Sequence, residues 1–132
     1  MTVINFLKSI FSIAAFLLTT SVVQAYGGGG SSSSSCQEPK FYDESPQRNA
    51  VLSELGNVSV VASDNTDVQT LEMEIGNQRI IPQTSVRRSG ELDLKATLSP
   101  PITQQGKVRI AVSAKSKDGC TGSYPYFVEI KP

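Results

Sequence analysis

The sequence predicts an all-β domain, a small antiparallel sandwich of about seven strands, and three observations predict it. Apolar and polar residues alternate with a period of two in several separate runs. Turn residues and prolines interrupt those runs at short intervals. After residue 25 no stretch keeps a helical 3.6-residue period over a useful length.

The clearest alternation is 107–115, where Val108, Ile110, Val112 and Ala114 share one face and Arg109, Ala111 and Ser113 the other. Leu71, Met73 and Ile75 alternate with Glu72 and Glu74, and Leu92, Leu94, Ala96 and Leu98 form a third row. Val58, Val60 and Ala62 make a fourth, and Tyr126, Val128 and Ile130 a fifth. The expected strands are 39–43, with a second short piece at 49–52 beyond Pro46, then 57–62, 68–75, 78–86 interrupted by Pro82, 92–98, 107–115 and 124–131. Gly76-Asn77 suits a two-residue hairpin. Ser99-Pro100-Pro101 should end a strand, because proline has no N–H for a ladder. Gly106 opens the next strand, and Asp118-Gly119 with Gly122 marks a longer connection. Pro125 implies that the last strand begins at an edge or unpaired.

The chain ahead of this domain reads as export machinery. Lys8, the apolar stretch Ile10–Leu18 and Val23-Gln24-Ala25 make residues 1–25 a cleavable signal peptide. The apolar run is too short for the ~20 residues of a membrane span, so no span is expected after cleavage. Acylation at Cys36 would require that cysteine directly after the apolar stretch, whereas five serines precede it. Residues 26–35, one tyrosine with four glycines and five serines, read as a flexible linker. The domain proper is 36–132, and its expected setting is the periplasm or the exterior.

Without Lys8 the chain carries 11 basic and 12 acidic residues, a net charge of −1. Such a near-neutral surface offers no field for nucleic acid. The sequence contains no histidine. That excludes Ser-His-Asp and Cys-His nucleophiles and imidazole zinc sites. Asp43 with Glu44 and Glu72 with Glu74 are the formal carboxylate pairs, and the latter lies on an outward strand face and reads as solvated surface; no catalysis and no cofactor are expected.

Counting strand directions places the remaining features. If the first strand runs downward, the connections after 62, after 86 and after 115 all lie at the top, beside the start of the first strand. This brings Cys36 and Cys120, the two cysteines of the sequence, to one end. In an exported chain such a pair forms a disulfide. Arg87 and Arg88 fall at the same end, and Tyr124 lies where the last connection feeds the final strand. Arginine and tyrosine on exposed loops are residues of recognition surfaces, so these three are the candidate contacts for a protein partner. Asp64, Asn65 and Asp67, with Asp118 beside them, form a weak candidate calcium cluster, poor in number against the six to eight oxygens calcium takes. A polar turn explains them more simply.

Ser45-Pro46, Ala50-Val51-Leu52 and Val58–Ser63 resemble the opening of bacterial immunoglobulin-like domains, including the group related to periplasmic copper-resistance proteins. Gly106–Ala114 followed by Ser116-Lys117-Asp118-Gly119 resembles their glycine-led strand and Asp-Gly loop, and Tyr126-x-Val128-x-Ile130 their last strand. The resemblance implies an immunoglobulin-like sandwich. It does not carry copper binding with it, because those ligands include histidine and often methionine. After the signal peptide this sequence has Met73 alone, on a core-facing row. The expected function is an exported, non-catalytic binding or structural module that contacts a protein partner. The alternative is a periplasmic metal-handling protein for copper or calcium.

Overall fold

In a computed structural model, residues Cys36–Pro132 are described; the signal peptide and linker read at 1–35 lie outside them. Among the described residues nine strands form two sheets that enclose one core. They are β1 (Phe41–Ser45), β2 (Val51–Leu52), β3 (Leu55–Ala62), β4 (Glu72–Ile75), β5 (Gln78–Ile80), β6 (Gln83–Val86), β7 (Leu92–Ile102), β8 (Gly106–Lys115) and β9 (Thr121–Ile130). One sheet has the order β1-β3-β7-β6, the other β2-β9-β8-β4-β5. All pairings are antiparallel except β2 with β9, which is parallel. This is an immunoglobulin-like sandwich.

The rows read from alternation are the core. Val58, Val60 and Ala62 from β3 and Leu92, Leu94, Ala96 and Leu98 from β7 pack against Met73 and Ile75 from β4. Val108, Ile110, Val112 and Ala114 from β8 complete that face with Tyr126, Val128 and Ile130 from β9. Each large side chain buried here contributes about 1.5–3 kcal/mol of transfer free energy. The Gly76-Asn77 hairpin also forms, with Ile75 opposite Gln78 and Gly76 at φ +63°, a backbone region open to glycine.

The structure departs most from the expected strands at four places, each for a local reason. The stretch 68–70 is a 3-10 turn rather than strand, because the Asp67 side chain accepts the Gln69 N–H and the Thr70 hydroxyl donates to the Asp67 carbonyl. The segment 78–86 is two strands in different sheets, since β5 pairs with β4 and β6 with β7, and Pro82 stands at the crossing. β7 does not stop at Ser99 but runs on to Ile102. Its prolines fall in a register jump: Asn57 faces Thr97 and Leu55 faces Ile102, so Pro100 and Pro101 have no ladder partner to deprive. β9 begins at Thr121, three residues earlier than expected. Pro125 is tolerated inside it because its nitrogen points away from β8, on the same side as Phe127, whose carbonyl accepts from Asn49. The break at Pro46 is a sheet switch too, with β1 in one sheet and β2 in the other.

Candidate functional site

The end of the sandwich marked by direction counting exists. Cys36 and Cys120 are joined by a disulfide, with their Cα atoms 5.7 Å apart. The strand that follows Cys36 is held by reciprocal bonds: Lys40 N–H donates to Ser63 Oγ and Ser63 N–H to the Lys40 carbonyl, both at 2.8 Å. The 63–71 connection meets the 116–120 loop through Lys117 N–H to Asn65 O at 2.7 Å and Asp67 N–H to Lys115 O at 2.9 Å. Thr66 and Ser116 form a bridge beneath them, and both are buried. The 87–91 turn reaches the same end, where a Cβ built on Gly90 would lie 3.2 Å from Asp64 Cβ.

Two of the four candidate calcium residues are engaged in this architecture. Asn65 Nδ2 donates to the Gln37 carbonyl at 3.1 Å, and Asp67 caps the 3-10 turn. Asp64 and Asp118 are exposed. Among the described residues no group of three or more histidine, cysteine, aspartate or glutamate side chains is arranged to hold a metal ion.

Arg87 and Arg88 diverge in role. The Arg87 guanidinium takes both oxygens of Asp93, with Nε to Oδ2 at 2.9 Å and Nη2 to Oδ1 at 2.8 Å. That fork-to-carboxylate pair raises the arginine pKa and lowers that of Asp93, the hydrogen bond being the leading cause in each case. Both groups are exposed to solvent, so the pair is weak as a source of stability. Arg88 is exposed and forms no ion pair among the described residues.

Tyr124 does not join them. It lies inside β9 opposite Val112, facing the gap between the sheets at the β1 side. Its hydroxyl donates to Glu44 Oε1 at 3.1 Å, and the Arg48 guanidinium stands 5.2 Å from its ring centroid, within cation–π range. Tyr126 packs against it at 5.6 Å between ring centroids. Tyr126 is 2% exposed and its hydroxyl has no hydrogen-bond partner among the described residues. Burial, then the nearby Glu44 and Tyr124, push its pKa well above the phenol range. Sequence reasoning missed this cluster. The spacing of Tyr124 and Tyr126, two apart on one strand, already put both rings on one face. Glu44 and Arg48 come from the stretch that switches sheets, and period-two alternation carries no signal for that.

The outer face of the five-stranded sheet holds a shallow depression of about 180 Å³ whose rim includes Glu72, Glu74, Arg79 and Arg109. Two carboxylates against two guanidinium groups leave it electrically balanced.

No family-level sequence profile matches the chain, and no characterised protein matches it in sequence. Among solved structures it is similar to CopC from Methylosinus trichosporium OB3b, with 13% identity, 72% of this chain and 95% of that one covered, and a TM-score of 0.56. It also aligns with PcoC, a methionine-rich copper resistance protein from Escherichia coli, at 15% identity and a TM-score of 0.48, covering 72% of this chain and 100% of the other. The resemblance read in the sequence therefore holds at the level of fold: this is an immunoglobulin-like sandwich of the CopC kind.

Proposed function

We propose that this chain is an exported, non-catalytic module that serves the kind of metal-handling system its fold relatives belong to, and that it does so by contacting a protein rather than by holding copper itself. The setting is taken by analogy from the CopC likeness, which is a likeness of fold. The mode is taken from the donor set, and that is the observation that carries the reading. The sequence has no histidine, both cysteines are spent in the disulfide, and Met73 is fully buried. Soft or imidazole ligands, which copper sites use, are therefore not on offer at the described surface. What the surface does offer is a rigid, covalently tied end with Arg88 exposed and unpaired.

Charge reversal at Arg88 tests the partner reading. Arg88→Glu should lower recovery of a cross-linked partner from the native host's envelope while leaving thermal stability unchanged. Reversal at Arg87 is unsuitable, because it would set a glutamate against Asp93. Equal recovery from Arg88→Glu and the unaltered protein would count against the reading. Direct metal handling is the second reading, favoured by the fold likeness. Calorimetric titration with Cu(I), Cu(II) and calcium decides it: saturable heat at micromolar protein establishes a site, and none dismisses it.

A further inference from the structure

Edge strands expose unpaired N–H and C=O groups, and proteins usually guard them with charge, proline or a bulge. Three of the four edges here are guarded. β1 has a register shift between Tyr42 and Ser45, with Asp43 at φ +51° and Glu44 beside it. β5 is three residues long with Arg79 at its centre. β2, the other edge of the five-stranded sheet, is two residues long, and the part of β9 it leaves uncovered carries Pro125. β6 has no such device within its length. Its sequence is Gln-Thr-Ser-Val, and all four residues are exposed.

The register of β6 says which backbone groups are free. Arg87 N–H donates to Glu91 O, and the pairs Ser85/Asp93 and Gln83/Lys95 follow at two-residue steps. In an antiparallel ladder the bonded pairs alternate with non-bonded ones. Gln83 and Ser85 therefore face β7, while the N–H and C=O of Thr84 and Val86 point outward. Two apolar side chains bracket this edge, Ile81 at 94% and Val86 at 71% exposure. Residues 83–90 contain no acidic side chain. Across the ladder Asp93 is taken by Arg87 and Glu91 accepts from Ser89, so the cations that form no ion pair beside the edge are Arg88 and Lys95, which stands opposite Gln83.

We propose that β6 is a strand-addition site for an extended, acidic segment of a partner protein. Its free alternate backbone groups would form the ladder. Ile81 and Val86 would meet apolar side chains, and Arg88 and Lys95 would meet carboxylates. A second copy of this chain is the wrong occupant, since edge-to-edge pairing would bring one arginine-bearing, acid-free stretch against another. The proposal rests on the partner-binding reading and specifies its surface and chemistry.

The test uses the disulfide-bonded protein and a synthetic peptide of alternating valine and glutamate, with a counterpart in which lysine replaces glutamate. Amide exchange is read residue by residue. At saturating glutamate peptide, exchange at Thr84 and Val86 should slow by about tenfold, as expected when an exposed amide enters a ladder. Gln83 and Ser85, already bonded to β7, should not change, and the lysine peptide should have no effect. Thr84→Pro removes a donor that β7 does not use and should abolish the protection; Val86→Glu does the same by charge repulsion if the proline variant fails to fold. No slowing at Thr84 and Val86 with millimolar glutamate peptide overturns the proposal, as does equal slowing with the lysine peptide. The peptide needs no native partner. A negative result here, beside a positive Arg88→Glu co-purification result, would therefore reject the edge and keep the module's partner.

Discussion

The two edges of the four-stranded sheet, β1 and β6, are built on opposite terms. β1 is tied at its start by the Cys36–Cys120 disulfide and by the Lys40–Ser63 bonds, bulged at Asp43, and joined to the other sheet through Glu44 and Tyr124. β6 is attached to β7 alone and leaves every second backbone pair free. The difference teaches where this small domain concentrates its ties and where it leaves backbone groups free. An edge that is covalently and sterically fixed can take little from solution, and an edge that is held on one side only can.

Breaking the β1 side should have the largest effect. Replacing Cys36 and Cys120 with serine opens a loop with a sequence separation of 84. Loop-closure entropy puts the loss at up to about 4–5 kcal/mol, visible as a lower urea midpoint. Next comes Gly122→Ala, which would put a Cβ 2.5 Å from the Pro39 carbonyl oxygen. Backbone cannot yield as a flexible side chain does, so a loss of about 1–3 kcal/mol is expected in the same measurement.

Tyr126→Phe is smaller and opposite in sense. It removes a buried hydroxyl without a partner, so stability at neutral pH should hold or rise by up to about 1 kcal/mol. It should also flatten the alkaline limb. In the folded protein the Tyr126 phenol keeps its proton beyond the pH at which the unfolded chain releases it, near 10. Its contribution is therefore whole below pH 10 and lost as pH climbs above that value. Urea midpoints of the two proteins between pH 8 and 11 check both parts.

On the β6 side, Val86→Lys should change stability by no more than about 0.5 kcal/mol, because the side chain is exposed and its backbone groups are unused. A loss comparable to that of Gly122→Ala would erase the contrast between the edges.

The core was legible because alternation reports which face is buried, and five such rows recur in the core. The shared end of Cys36 and Cys120 was legible too, since hairpins reverse direction and parity can be counted. The sheet switches at Pro46 and Pro82 were not. Proline marks an interruption, but whether the chain resumes in the same sheet depends on partners distant in sequence. The same limit hid the company of Tyr124. Its position was read as a loop exit, whereas β9 starts earlier and carries it into the gap where Glu44 and Arg48 meet it. Arg87 and Arg88 looked equivalent until β7 supplied Asp93 to one of them.

The disulfide has a mechanical consequence as well. Tension applied between Cys36 and Pro132 would pass through the bridge and bypass β1 to β8, which lie inside the closed loop. Only the segment beyond Cys120 could extend, and that segment is β9 and two further residues. At about 3.3–3.6 Å per residue its full length is on the order of 40 Å. Under load the molecule would give up one strand and keep the rest of its sandwich within the covalent ring.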